Sequence, residues 1–275
     1  MSPQHTPPAT VASADGTAIA VYRSGAGPAV VIVDCALSTS ADTAKLARLL
    51  SEHFTVIGFD RRGRAESPSD AAPTLEQEVA DIAAVVATAG EPVVLFGHSS
   101  GAALALEAAV RLGAGAVRGL YLWEPPYIVD DSRAPVADDL PARVAAEVAA
   151  GHRSRAVALF YREALGIPGF GVAIMRLLPS WRRGTAIAHT LPGDFATVVG
   201  LQQGRPLPTD RWAGLTVPAV AVAGGKSEPF FATTVKALAA LLPTVEAVVM
   251  PATHHGTPIM APAPIVADLH TRFGS

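Results

Sequence analysis

Six short runs, Ala29-Val33, Thr55-Phe59, Pro92-Phe96, Val117-Trp123, Pro218-Ala223 and Val245-Met250, punctuate the chain, and most are apolar from end to end. A strand with one wet face alternates apolar and polar residues, so a continuous apolar run predicts a strand covered on both faces. Between them, Ala41-Ser51, Leu75-Ala89, Ser100-Leu112, Phe231-Leu241 and Pro264-Phe273 read as helices, the last with its proline in the permissive first turn. Strand and helix alternate, which predicts an α/β fold with a mostly parallel sheet flanked by helices. Thr17-Arg23, followed by Gly25-Ala26-Gly27-Pro28, reads as an antiparallel entry hairpin, and the proline-containing N-terminal residues as a loose arm.

The alternation breaks after Trp123. From Pro125 to about Trp212 the chain carries helical stretches and Pro/Gly interruptions without a clear apolar strand. The predicted organisation is a core in two parts, 1–124 and 213–275, with residues 125–212 inserted as a helical cap. Such an insert covers the carboxyl ends of the strands, where open α/β sheets bind ligands.

Composition narrows the partners. Half of the 275 residues are hydrophobic, 16% are charged, the formal net charge is −3, and no basic run exceeds two residues. Nucleic acid and membrane are therefore not expected as partners; a small uncharged substrate is, and a homodimer is left open. One cysteine, Cys35, cannot close an internal disulfide, and residues 1–10 show no secretory pattern, so the expected location is the cytoplasm.

The strand Pro92-Phe96 runs directly into Gly97-His98-Ser99-Ser100-Gly101 and then into an alanine-rich helix. A tight strand-to-helix turn of this kind lifts the Ser99 hydroxyl above the sheet edge, at the positive end of the helix. The two glycines leave room where neighbouring elements approach. Ser99 is thus the expected nucleophile, with His98 packing at the turn or lining the pocket. A base should follow the last strand, where His254 and His255 stand side by side in Pro251-Ala252-Thr253-His254-His255-Gly256.

The loop after Pro218-Ala223 reads Gly224-Gly225-Lys226-Ser227-Glu228, without an aspartate. The acid is therefore sought in Glu124, which ends the strand Val117-Trp123 at the same sheet edge, with Glu228 as the alternative. A carboxylate there can hold the histidine tautomer that accepts the serine proton. Oxyanion donors are expected at the Ser100 N–H and in the loop Asp34-Cys35-Ala36-Leu37-Ser38, at Ala36 or, next, Leu37. No cofactor is implied. A metal is not expected either, since adjacent histidines lack the i, i+4 spacing of helical ligands.

Together these segments resemble the α/β-hydrolase superfamily. Asp60-Arg61-Arg62-Gly63-Arg64-Ala65-Glu66-Ser67 is similar to its D-x-x-G-x-G-x-S turn, with Ala65 in place of the second glycine. A narrower resemblance is to the zearalenone lactonases, carried by Gly97-His98-Ser99-Ser100-Gly101-Ala102, Glu124 with Pro126, Pro179-Ser180-Trp181-Arg182-Arg183-Gly184, Ser227-Glu228-Pro229-Phe230-Phe231 and Pro251-Ala252-Thr253-His254. This chain lacks that family's Asp-Gly after the first core strand. The resemblance implies a Ser99-His254-Glu124 triad, donors at Ala36 and Ser100, Trp181 over the ligand, and Leu37, His98 and Phe230 at the substrate. The expected reaction is cleavage of a carboxylic ester or lactone through an acyl-enzyme. Its rivals are a generic esterase, thioesterase or C–C hydrolase, and a small-molecule receptor on the same scaffold.

Overall fold

A computed structural model describes residues 9–274; the N-terminal arm, residues 1–8, lies outside the described residues. One sheet holds β1 (Ala9–Ala12), β2 (Ala18–Ser24), β3 (Ala29–Val33), β4 (Thr55–Phe59), β5 (Val93–His98), β6 (Val117–Trp123), β7 (Ala219–Gly224) and β8 (Val245–Met250). Their spatial order is β1-β2-β4-β3-β5-β6-β7-β8, parallel from β4 to β8. The antiparallel hairpin expected across Gly25–Pro28 does not form. β2 is antiparallel, but it pairs with β1 and β4 rather than across the Gly25–Pro28 turn to β3. Gly25 has φ +76°, and a Cβ there would sit 2.2 Å from the Phe54 carbonyl, so this turn is folded against the entry to β4.

Helices α1 (Ala44–Leu50), α2 (Leu75–Ala87) and α3 (Ser100–Leu112) link the strands up to β6. Between β6 and β7 the chain runs through α4 (Leu140–Ala149), α5 (Arg153–Leu159), a π-helical turn at Phe160–Ala164, α6 (Gly169–Met175), α7 (Pro179–Ala186), a 3-10 turn at Ala188–Thr190 and α8 (Leu191–Val198). Helices α9 (Pro229–Leu241), α10 (Thr257–Met260) and α11 (Ala263–Phe273) complete the described chain. Among the described residues no helix is long and apolar enough to cross a membrane.

The two-residue period of the strands divides the core. Val30 and Ile32 of β3, with Val94 and Phe96 of β5, face Leu46, Leu50, Ile265 and Leu269 from α1 and α11. Val31, Val33 and Leu95 face the other way, towards a larger cluster that includes α2, α3, α9 and the segment between β6 and β7. Burial of each such side chain contributes about 2 kcal/mol relative to exposure. α2 starts at a reciprocal cap: Gln77 N–H donates to Thr74 Oγ1, and Thr74 N–H donates to Gln77 Oε1. α3 is buried at every position from Ser100 to Ala109, which its small residues permit: the sheet lies on one side, α2 and α8 on others.

That close approach is sharpest at the ends of β5 and β3. A Cβ on Gly97 would lie 2.5 Å from Ala102 Cα, and one on Gly101 would lie 2.2 Å from the Val33 carbonyl. Both obstacles are backbone and cannot rotate away. Replacement of either glycine by alanine is expected to destabilise the fold by about 3 kcal/mol in urea titrations, the upper end of the usual cost of overpacking. Gly115→Ala, at an exposed position with no atom within 4 Å of the added methyl group, should stay within about 0.5 kcal/mol of the parent.

Candidate active site

Ser99 follows β5 with φ 55° and ψ −120°, a conformation that a non-glycine residue adopts only when its surroundings impose it. Here its N–H donates to the Trp123 carbonyl at 2.8 Å, extending the β5–β6 ladder past the strand, while its own carbonyl accepts from Ala102 and Ala103 in α3. The side chain is thereby lifted off the sheet at the helix N-terminus. Ser100, the first residue of α3, lies where backbone N–H groups have no intrahelical acceptor.

Glu124 stands one strand away and repeats the device. It follows β6 with φ 49°, and its N–H donates to the Val222 carbonyl at 2.9 Å. Its carboxylate is fully buried. Oε1 accepts the Gly224 N–H at 2.6 Å, and Oε2 meets Nδ1 of His255 at 2.6 Å. This carboxylate therefore holds the ring and leaves Nε2 as its free nitrogen.

The histidine at this position corrects the sequence reading, which favoured His254. His254 turns Nδ1 back to accept from the Gly256 N–H at 3.1 Å, and its own N–H donates to Thr257 Oγ1. His255 is fixed from several sides: its ring stacks on Phe231 at 5.0 Å, and its carbonyl accepts from Trp123 Nε1. Glu228 lines the same cavity but makes no hydrogen bond to either ring. It lies at the start of α9, half exposed, with Arg133 at 3.6 Å.

Ser99, Ser100, Ala36, His254 and His255 share one cavity of about 340 Å³, walled mainly by apolar side chains such as Phe160, Ile167, Phe195 and Phe230. A volume of this size suits a small organic ligand. The π-helical turn at Phe160–Ala164 contributes to this wall, as such turns often do at functional sites.

Three expected ligand contacts lie elsewhere. His98 is buried below the elbow, its ring 4.9 Å from that of His255, and burial lowers its pKa well below the usual histidine value, which keeps it neutral. Trp181 packs among the helices between β6 and β7, donating to Ser154 Oγ at 3.1 Å with Arg176 across its ring, and it does not line the cavity. Leu37, at φ 56°, is turned to α7, where Gly184 closes on its side chain. Phe230 does line the cavity, and the Arg133 guanidinium lies 4.7 Å over its ring.

The turn after β4 supplies what the motifs did not announce. Asp60 accepts from the Ser40 N–H and hydroxyl, and Ser67 Oγ accepts from the Ala20 N–H, so the ends of the turn are structural pins. Ala65, in place of glycine, keeps a left-handed φ of 39°. Arg61 and Arg64 run inward, buried, to Asp194 of α8, a residue that also lines the cavity. Three charged groups so close in an apolar interior had one sequence signal, the density of arginines at residues 61–64.

Residues 24–269 match the alpha/beta hydrolase family. The chain belongs to this family. It is similar to the crystal structure of an alpha/beta hydrolase from Sphaerobacter thermophilus, with 42% identity, TM-score 0.86, and coverage of 96% of this chain and all of the other. Two esterases share the fold at lower identity. One, from Thermogutta terrifontis, is 20% identical with TM-score 0.72, over 97% of this chain and 98% of its own. The other, from Exiguobacterium antarcticum, is 18% identical with TM-score 0.72, over 98% of this chain and all of its own. Comparison with curated proteins gives no match.

In this alpha/beta hydrolase the loop after β3 carries two further titratable groups. Burial pushes the Cys35 thiol up to about 12, so it is held as the neutral thiol, a poor nucleophile. Burial also raises the Asp34 carboxyl to about 7, against a hydrogen bond from Thr43 Oγ1 at 2.8 Å that favours ionisation. A carboxyl whose folded pKa lies above its unfolded value of about 4 costs stability as pH rises from about 4 to about 7, and the loss is complete above that. Asp34→Asn should remove this dependence. The variant's stability relative to the parent should grow between pH 4 and pH 7, by on the order of 4 kcal/mol at most, and then level off. Denaturant midpoints at pH 4.5, 6 and 8 check this.

Proposed function

We propose that this chain is a serine hydrolase that cleaves a carboxylic ester through an acyl-enzyme, with Ser99 as nucleophile, His255 as base and Glu124 as the acid behind it. The observation that carries the reading is the 2.6 Å contact between Glu124 Oε2 and His255 Nδ1, on a loop that opens into the same cavity as the Ser99 elbow. With Nδ1 engaged, Nε2 of His255 takes the hydroxyl proton as Ser99 Oγ attacks the substrate carbonyl carbon. The C–O bond to the alcohol then breaks, His255 returns the proton to the leaving oxygen, and a water activated by the same nitrogen releases the acid. Oxyanion charge falls to the N–H groups of Ser100 and Ala36, the latter on the cavity wall.

An uncharged ester or lactone fits the largely apolar wall. A lactone is the finer form of the proposal, supported by the resemblance of Gly97–Ala102, Glu124 with Pro126 and Ser227–Phe231 to lactonases. A macrolactone of the zearalenone type has less behind it, since Trp181 and His254 do not stand where that resemblance would have them.

The test compares Ser99→Ala, His255→Ala, His254→Ala, Glu124→Gln and Glu228→Gln on p-nitrophenyl butyrate, γ-lactones and zearalenone. Loss of Ser99 or His255 should lower kcat by about 10⁴-fold or more, and Ser99→Ala should also abolish fluorophosphonate labelling. Glu124→Gln should fall well below the parent, while His254→Ala and Glu228→Gln stay within about tenfold of it. Retention of activity in His255→Ala with loss in His254→Ala would reverse the assignment. Tight ligand binding without turnover or labelling would instead make the protein a receptor.

A further inference from the structure

The oxyanion donors of this site are braced from behind by the cap. Asp194, on α8, accepts from Arg61 Nη1 at 2.8 Å and Ser100 Oγ at 2.9 Å through Oδ1, and from Arg64 Nη2 at 2.8 Å through Oδ2. All of these side chains are buried. Each guanidinium also reaches the loop after β3. Arg61 donates to the Asp34 carbonyl at 3.0 Å and is otherwise paired with Glu78 by two bonds of 2.7 and 2.8 Å. Arg64 Nη1 donates to the Cys35 carbonyl at 2.6 Å and to the Ser38 carbonyl at 3.0 Å.

The Cys35 carbonyl and the Ala36 N–H belong to one planar trans peptide, so they point in opposite directions. A cation that fixes and polarises the carbonyl therefore fixes the direction of the N–H and strengthens it as a donor. On the other side, the Ser100 hydroxyl anchors the residue whose N–H is the second donor. Burial alone would raise the Asp194 carboxyl, but Arg61 and Arg64 hold it below the usual carboxylate range, so it stays an anion between two cations. With Glu78 the four charges sum to zero.

We propose that Asp194 and Arg64 are positioning residues of the oxyanion hole: the cap carboxylate holds Arg64 against the Cys35–Ala36 peptide and Ser100 at the head of α3, setting both donors at once. This rests on the serine-hydrolase reading given above. It assigns to the cap a part in transition-state stabilisation in addition to its cover over the substrate, and it predicts that the network contributes to kcat rather than to substrate affinity.

The experiment uses the full-length chain and the variants Asp194→Ala, Arg64→Lys and Ser100→Ala. The last keeps its N–H and loses a single hydrogen bond. Measured quantities are kcat and KM on p-nitrophenyl butyrate, and binding of a trifluoromethyl ketone, which adds to the serine and places an oxyanion, against its methyl ketone counterpart. Asp194→Ala should lower kcat about 10- to 100-fold, the two milder variants about 3- to 10-fold, with KM within about 3-fold. Affinity for the trifluoromethyl ketone should fall by the same factors while that for the methyl ketone holds.

Unchanged kcat in Arg64→Lys and Ser100→Ala overturns the proposal, whether or not Asp194→Ala folds, and so does an equal loss of both ketones. A parent protein that binds the two ketones alike, and keeps its activity in Ser99→Ala, would instead overturn the serine-hydrolase reading on which the proposal stands.

Discussion

The parallel register of β5, β6 and β7 is the constraint on which the site depends. His98 lies opposite Trp123, and Trp123 opposite Val222, so three strands end nearly level. The next residue of the first two, Ser99 and Glu124, keeps one ladder hydrogen bond to its neighbour while its backbone turns to positive φ. Each is a non-glycine residue in a costly conformation, paid for by a strand on either side that leaves no alternative. A hydroxyl and a carboxylate are thus delivered to adjacent points of one sheet edge by the same geometry, and the loop after β8 brings His255 to the carboxylate.

A second layer of order comes from charge. Arg61, Arg64, Glu78 and Asp194 are removed from water in a chain that carries few charged residues, and removal of four charges from solvent is expensive. Buried ion pairs are weak grounds for stability, because desolvation offsets most of the attraction. Their geometry is specific, however: planar guanidinium groups reach carboxylate and carbonyl oxygens at fixed angles. The network joins the turn after β4, the loop after β3, α2, the head of α3 and α8, which are five separate stretches of chain meeting at the back of the cavity.

Much of this was legible locally. The apolar runs marked the strands of the parallel sheet because full burial on both faces leaves no room for alternation. The strand-to-helix elbow at Ser99 was legible because strand, Gly-x-Ser-x-Gly and small-residue helix are contiguous. Glu124 was legible as the residue that ends a strand next to the elbow's own, with no aspartate in the later loop to compete. The entry strand was recognised, but its partners were not: pairing to β4 spans a helix and carries no local mark, and β1 lies across the short turn before β2 rather than after it.

His255 was not distinguishable from His254 by sequence, because adjacent side chains leave a loop in different directions and only the fold of Pro251–Gly256, with Ala252 at φ 62°, decides which one faces Glu124. Trp181 and Leu37 could be named but not aimed, since each packs against residues of the long segment between β6 and β7, whose approach depends on how all of its helices fold. Asp194 lies 133 residues from Arg61 and sits in no motif. Sequence alone determined the sheet, the elbow at Ser99 and the place of Glu124 at the end of the neighbouring strand, because those depend on periodicity and on residues close in the chain. Tertiary structure alone decided which histidine meets Glu124 and which residues Asp194 joins, because both are set by which distant surfaces come into contact and in which direction each side chain leaves its loop.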